Sequence, residues 1–268
     1  MTPGDARKPA DLRVGVDVGG TWLRAALLSG GRLRRTRLRK HPRWTLRSSL
    51  RRVFAAWRVG RVDRLVVGAR GVWSLGERRR MARALRPLAR DVHILPDLQL
   101  AFLSALDGKP GLLILAGTGS VSYGRGPDGR TARAGGIGPL LGDEGSAFWI
   151  GKQWVAGLPE SVAWELAHDP DPVRATSALA RQVLRRSRRD PRARRIADEA
   201  ARRLAALALR AARRLAFRGK VPISWHGGVF RDPGFTAVFL RRLDPRFLPV
   251  PPAHAPEVYA AKSAKMEI

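Results

Sequence analysis

The sequence contains no cysteine and no asparagine, two tyrosines, and only seven lysines among its 51 basic residues, leaving 44 arginines. Without thiols this chain forms no disulfide, no thiolate zinc site and no cysteine-ligated iron–sulfur cluster. No apolar run approaches the ~20 residues that a membrane span requires. The opening MTPGDARKPADL lacks the apolar centre of a secretory signal. These absences lead to the expectation of a cytoplasmic protein with no membrane partner. None of the five histidines has a neighbour at metal-ligand spacing, so His226 and the rest read as satisfied or solvated.

What is present is enough for a substantial core. At 268 residues and 44% hydrophobic, the chain can form one large domain or two of ordinary size. A net charge of +29 ordinarily suggests nucleic acid or an anionic surface. Here the arginines are scattered along every segment, and the excess of Arg, Ala, Leu and Pro is that of a GC-rich coding sequence. No nucleic-acid module signature appears. Salt-sensitive sticking to polyanions is expected, and specific nucleic-acid binding is not.

The chain opens with an apolar strand, Leu12 to Val18, carrying Asp17 near its end. Gly19-Gly20-Thr21 turns it into a second strand, Trp22 to Leu28, and Gly30-Gly31 into a third, Arg32 to Arg39. Such a glycine turn exposes amide donors to an anion, and the acid beside it can hold magnesium through water. An ordinary hairpin with an acid at its rim has the same pattern. Apolar residues at Leu46, Leu50, Val53, Phe54 and Trp57 predict an amphipathic helix over Thr45 to Trp57. A strand at Arg64 to Ala69, a basic helix at Gly76 to Arg90 and a strand at Val92 to Leu95 follow. Asp97 then opens a helix ending at Leu106, either as its N-cap or as a general base at a strand's end. Asp107-Gly108-Lys109-Pro110-Gly111 is the clearest break, giving expected domains 1–107 and 108–268.

The second half repeats the opening logic. The apolar run Leu112 to Ala116 reads as a buried strand ending in Gly117-Thr118-Gly119-Ser120. A glycine cluster at Gly135, Gly136 and Gly138 leads to Gly142-Asp143-Glu144-Gly145-Ser146 and a helix over Ala147 to Val155. Two carboxylates beside two glycine turns suit a polar ligand held next to a phosphate; a glycine-rich hairpin with solvated acids is the alternative. Helices are predicted at Ser161 to Ala167, Val173 to Arg189 and, with the clearest apolar stripe, Ala193 to Phe217. Val221 to Trp225 is a strand closed by His226-Gly227-Gly228, where a flat base or ribose can lie on bare backbone, or the chain simply turns toward a helix. The tail from Pro249 is proline-rich and then helical, suited to packing back across the first domain.

In this order, DVGGT, an Asp opening a helix, AGTGS, GGIGPLLGDEGSAFWIG and a strand ending HGGVF, the chain resembles the BadF/BadG/BcrA/BcrD-type ATPase and N-acetylglucosamine kinase-like family. That family belongs to the sugar kinase, actin and heat-shock ATPase superfamily. The resemblance covers nearly the whole chain and is most specific from Gly135 to Gly151. It implies an α/β fold of two ribonuclease-H-like (actin-like ATPase) domains with an interdomain cleft. It also implies ATP and Mg2+ as cofactors, a sugar as small-molecule partner, and is compatible with a homodimer. By the same resemblance Gly19, Gly20 and Thr21 match the first phosphate motif, with Asp17 serving the metal, and Asp97 matches the catalytic base. Gly117, Thr118 and Gly119 match the second phosphate turn, Ser120 and Asp143 the sugar contacts, and Gly227 and Gly228 the adenosine turn.

Three departures bear on the substrate. The loop after the third strand is His41-Pro42-Arg43-Trp44, where N-acetylglucosamine kinases of this type carry an asparagine. Ile137 stands where tryptophan is frequent, and Pro96 where a small polar residue precedes the base. The expected activity is phosphorylation of a sugar 6-hydroxyl, with N-acetylglucosamine, glucosamine or a related hexose as acceptor. The competing expectations are a non-catalytic nucleotide or sugar binder and, less compatible with a chain lacking cysteine, the ATPase that energises acyl-CoA dehydratases and reductases.

Overall fold

A computed structural model describes residues 11–20 and 22–263. Contacts divide the chain into two compact units, one running to Asp107 and resuming at Ala253, the other spanning Gly108–Pro252.

The first unit is a five-stranded mixed sheet built from β1 (Arg13–Val18), β2 (Trp22–Ser29), β3 (Arg32–Arg39), β4 (Val62–Ala69) and β5 (Ala89–Pro96), in the order β3-β2-β1-β4-β5. β1, β2 and β3 pair antiparallel, joined by tight turns; Gly30 and Gly31 both have positive φ (52° and 77°), the conformation a two-residue hairpin requires. β1, β4 and β5 run parallel, so their connections must cross over, and they do so through α1 (Leu46–Trp57) and α2 (Leu75–Leu85). Side chains alternate across the sheet. Val14, Val16, Leu65 and Val67 meet Leu50, Val53, Phe54 and Trp57 of α1 on one face. The other face carries α3 (Asp97–Leu106) and the C-terminal helix α9 (Pro256–Lys262). Gly15 admits α9 directly onto β1: a Cβ there would stand 2.1 Å from the Glu257 carbonyl oxygen. Gly68 does the same under Leu100 of α3, where a Cβ would meet the side chain at 2.5 Å.

One predicted helix is shorter than its pattern. The stretch Gly76 to Arg90 is helical only to Leu85, because Pro87 lies in a 3-10 turn, Arg86–Leu88, and cannot donate its amide to the ladder. The following strand therefore starts at Ala89, not Val92, pairing Ala89 with Val62 of β4.

The second unit repeats the topology. Its sheet, β10-β9-β6-β7-β8, comprises β6 (Gly111–Ala116), β7 (Ser120–Arg125), β8 (Thr131–Gly135), β9 (Val221–His226) and β10 (Phe247–Pro249). β6 to β8 are antiparallel and β6, β9 and β10 parallel, the same order and directions as β1 to β5. Its helices are α4 (Ala147–Val155), α5 (Glu160–Ala167), α6 (Pro172–Arg186), α7 (Pro191–Ala212) and α8 (Pro233–Arg242). α7 lays Ala200, Ala201, Leu204, Ala208 and Ala211 on Leu112, Ile114 and Ala116 of β6. Its charged side faces solvent, where Glu199 binds Arg202 and Arg203. α7 begins at Pro191, capped by Asp190 through the Arg192 and Ala193 amides, and ends five residues before Phe217, where the chain turns to bury Leu215. α6 likewise stops at Arg186, short of Arg189.

Candidate functional site

In the first unit, two predicted site residues come to the same edge of the sheet. Asp17 lies near the end of β1, in register with Gly68 of β4, which is in register with Leu95 of β5. Asp97 follows β5 by one residue, so the two acids sit at the ends of parallel strands two spacings, about 10 Å, apart. Asp17 shares the sheet face of Gly15, and hence of α9 and α3. It is buried, and its Oδ2 accepts from Arg24 Nη1 at 3.0 Å. Burial pushes its carboxyl up to about 6; Arg24 pulls it down, while Glu257 and Asp97 push further up.

Asp97 is not the N-cap. Pro96 occupies that position without a side-chain cap bond, and Asp97 is the first residue of α3, its Oδ1 accepting from the Leu98 amide at 2.9 Å. A negative charge in the first turn still suits the helix dipole. The glycine turn between β1 and β2 is closed by Gly19 N donating to Trp22 O at 2.9 Å, and Lys40 Nζ donates to Gly19 O at 3.3 Å. Thr21 lies outside the described residues.

In the second unit, the turn after β6 is tied to the start of α4. Gly117 N donates to Gly119 O, while the Ala147 and Phe148 amides donate to the Gly117 and Thr118 carbonyls at 2.8 and 3.3 Å. Ser146 caps α4 by accepting from Trp149 N. Asp143 is buried with a left-handed backbone (φ 59°), and its carboxylate lies so close to Gly119 that a Cβ there would be 2.5 Å from Oδ2. Gly145 (φ 77°) rests on Ala200 and Leu204 of α7, which holds the Asp143 loop in place. Ser120 is buried and spends its hydroxyl proton on Glu144 O at 2.8 Å, leaving only lone pairs for another partner. Gly227 closes β9 at φ 115°, where a Cβ would strike the Ala116 carbonyl at 2.2 Å. The chain then makes a 3-10 turn, Val229–Arg231, before α8 starts behind its Asp232 cap.

The glycines divide into two kinds. Gly119 and Gly227 are required by neighbouring protein atoms, and Gly227 by its φ as well. Gly20, Gly117 and Gly228 have no positive φ and, among the described residues beyond their chain neighbours, no atom within 4 Å of a would-be Cβ. Nothing among the described residues calls for glycine there, which is the pattern of backbone left bare for something else to approach.

Two further residues belong to this surroundings. Arg24 is opposite Asp17 in the β1–β2 register, a pairing that the Gly-Gly-Thr hairpin already implied. Glu257 is 2% exposed and bonded through Oε1 to Arg35 of β3. It is 240 positions from Asp17, and no local pattern could have signalled it. Among the described residues no group of three or more His, Asp or Glu side chains could hold a metal. A lone Asp17 nonetheless fits magnesium, which keeps most of its waters and takes one or two protein carboxylates beside substrate phosphates.

Comparison with known proteins follows the same lines. A stretch of 71 residues is 38% identical to an N-acetylmuramic acid/N-acetylglucosamine kinase of Clostridium acetobutylicum, covering 26% of this chain and 23% of that one. Another of 56 residues is 46% identical to an N-acetyl-D-glucosamine kinase of Dictyostelium discoideum, covering 20% and 18%. The matched stretches thus span less than a quarter of either relative. Among solved structures, a proposed N-acetylglucosamine kinase of Chromobacterium violaceum superimposes with a TM-score of 0.69 at 22% identity, over 94% of this chain and 98% of that one. A ROK family glucokinase of Streptomyces griseus, in complex with glucose and AMPPNP, gives 0.57 at 18% identity over 93% and 98%. At these identities the likeness is one of fold: an α/β actin-like ATPase and sugar-kinase architecture. The family profile, BadF/BadG/BcrA/BcrD ATPase, matches residues 14–261. The chain belongs to the BadF/BadG/BcrA/BcrD ATPase family.

Proposed function

We propose that the protein transfers the γ-phosphoryl group of ATP to a sugar hydroxyl, the 6-hydroxyl of an amino sugar or hexose such as N-acetylglucosamine or glucosamine. The observation that carries this reading is the pair of acids at one sheet edge: Asp97 heading α3 and Asp17 beside the first glycine turn, on strands two spacings apart. The bare glycines Gly20, Gly117 and Gly228 support it, as do the names of the curated relatives.

In this reading Asp97 accepts the proton of the sugar hydroxyl as that oxygen bonds to the γ-phosphorus and the bond to the β-phosphate oxygen breaks, releasing ADP. The turn Gly19-Gly20-Thr21, through the Gly20 amide, and the turn Gly117-Thr118-Gly119, through the Thr118 and Gly119 amides, take the phosphate oxygens, while Gly227 and Gly228 pass under the adenosine. Asp17 would hold magnesium, which when bound would offset charge on the phosphates. Asp143 accepts from ring hydroxyls, with Ser120 as an acceptor beside it. Orientation of this kind contributes up to roughly 7–11 kcal/mol of barrier lowering.

The test is ADP release measured over a panel of hexoses and amino sugars, with the phosphate located on the product. The reading requires sugar-dependent ADP release that disappears in Asp97→Ala while nucleotide binding persists. A panel without stimulation, with nucleotide binding intact, transfers the case to the non-catalytic binder, which the His41-Pro42-Arg43-Trp44 loop favours.

A further inference from the structure

We infer that Arg24 is a ligand for the terminal phosphates of the nucleotide, parked on Asp17 and aimed at the first glycine turn. The inference rests on the nucleotide-binding part of the proposed function and adds a residue to it. Arg24 sits on β2 directly across from Asp17 and on the same sheet face. Its Nη1 is 3.0 Å from Asp17 Oδ2 and only 3.8 Å from where a Cβ on Gly19 would stand, so the guanidinium occupies the angle between the carboxylate and the turn.

Arg24 spends one N–H on Asp17, and its other donors meet no partner among the described residues. The side chain is 29% exposed, so those donors are reachable from solvent. The same cross-strand row continues with Arg37 on β3, whose guanidinium lies 4.9 Å over the Trp22 ring. One acid and two arginines share the row. Lys40 Nζ donates to Gly19 O of the same turn. A glycine turn with Arg24 and Lys40 beside it, and open around Gly20 among the described residues, is an arrangement for an anion. The planar fork of arginine matches two phosphate oxygens at once. A nucleoside di- or triphosphate is the ligand class, because the proposed function places the nucleotide's phosphates at this turn.

The experiment is calorimetric titration of the full chain with AMP, ADP and ATP in magnesium-containing buffer, comparing wild type with Arg24→Gln and Arg24→Lys. Loss of a charge-assisted, forked contact lowers ADP and ATP affinity on the order of 10–100-fold in Arg24→Gln, with AMP affinity unchanged. Arg24→Lys keeps a charge facing Asp17, which guards against a folding defect, and still loses several-fold for ATP but not AMP. Equal affinities in variant and wild type for all three nucleotides, or a parallel fall including AMP, overturn the assignment while leaving nucleotide binding standing. Failure of wild type itself to bind any of the three removes the nucleotide reading, and Arg24 with it.

Discussion

Asp17→Asn separates the demands of folding from those of the site. The Asp17 carboxyl is buried in the first unit, and burial raises it from an ordinary 3.8 to about 6 despite the Arg24 guanidinium. A folded-state value above the unfolded one means that ionisation works against the fold. Below pH 3.8 the group is protonated in both states and costs nothing. Between 3.8 and about 6 the unfolded chain ionises first, and stability falls as pH rises. Above 6 the full penalty is present, about 3 kcal/mol. Asparagine carries no charge to bury. Arg24 loses its partner but keeps part of its hydration, and its favourable pull is already contained in the net shift. The variant is therefore expected to be more stable than wild type by about 3 kcal/mol at pH 7.5, with the advantage shrinking toward zero near pH 4. Urea unfolding across pH 4–8 reads the difference, and hydrogen exchange of the β1–β4 amides assigns it to the first unit. An asparagine variant no more stable than wild type at pH 7.5, or one whose advantage does not depend on pH, refutes the reasoning. Gained stability with lost activity is the trade-off expected of a residue kept for function.

Other perturbations test neighbouring parts. Asp97→Asn should reduce sugar-dependent ADP release by about 10²–10⁴-fold while leaving ATP affinity, measured by calorimetry, within about twofold of wild type. Gly227→Ala forces a Cβ onto the Ala116 carbonyl from a φ of 115°, and should destabilise the second unit by at least about 2 kcal/mol in chemical unfolding. Gly119→Ala pushes the Asp143 carboxylate aside; its acceptor KM should rise more than its ATP KM in a coupled assay. Gly15→Ala puts a methyl into the α9 backbone, and limited proteolysis should then release the C-terminal segment that wild type protects.

Much of the architecture was legible because local patterns agreed with the fold. Leu50, Val53, Phe54 and Trp57, spaced three and four apart, are the residues α1 buries. The Gly30-Gly31 turn announced a hairpin, and the run Leu112 to Ala116 is a strand at the centre of its sheet. Helix ends were harder, since periodicity continues past the point where a turn takes over, as after Leu85 and Ala212. The cap reading of Asp97 was plausible from composition alone, yet Pro96 takes that position. Nothing in the order of residues distinguishes Gly20, which faces open space, from Gly119, which faces a carboxylate.

By itself the sequence determined the alternation of strands and helices, the two glycine turns, and the family to which their order belongs. These depend on residues a few positions apart, where periodicity and backbone freedom act directly. Only the tertiary structure decided that Asp17 is buried and faces Arg24, that Glu257 arrives beside it from 240 residues away, and that both sheets share one strand order. Burial and charge depend on which elements cover a face, and α9 reaches β1 from the far end of the chain because Gly15 leaves it room. No local pattern encodes that meeting.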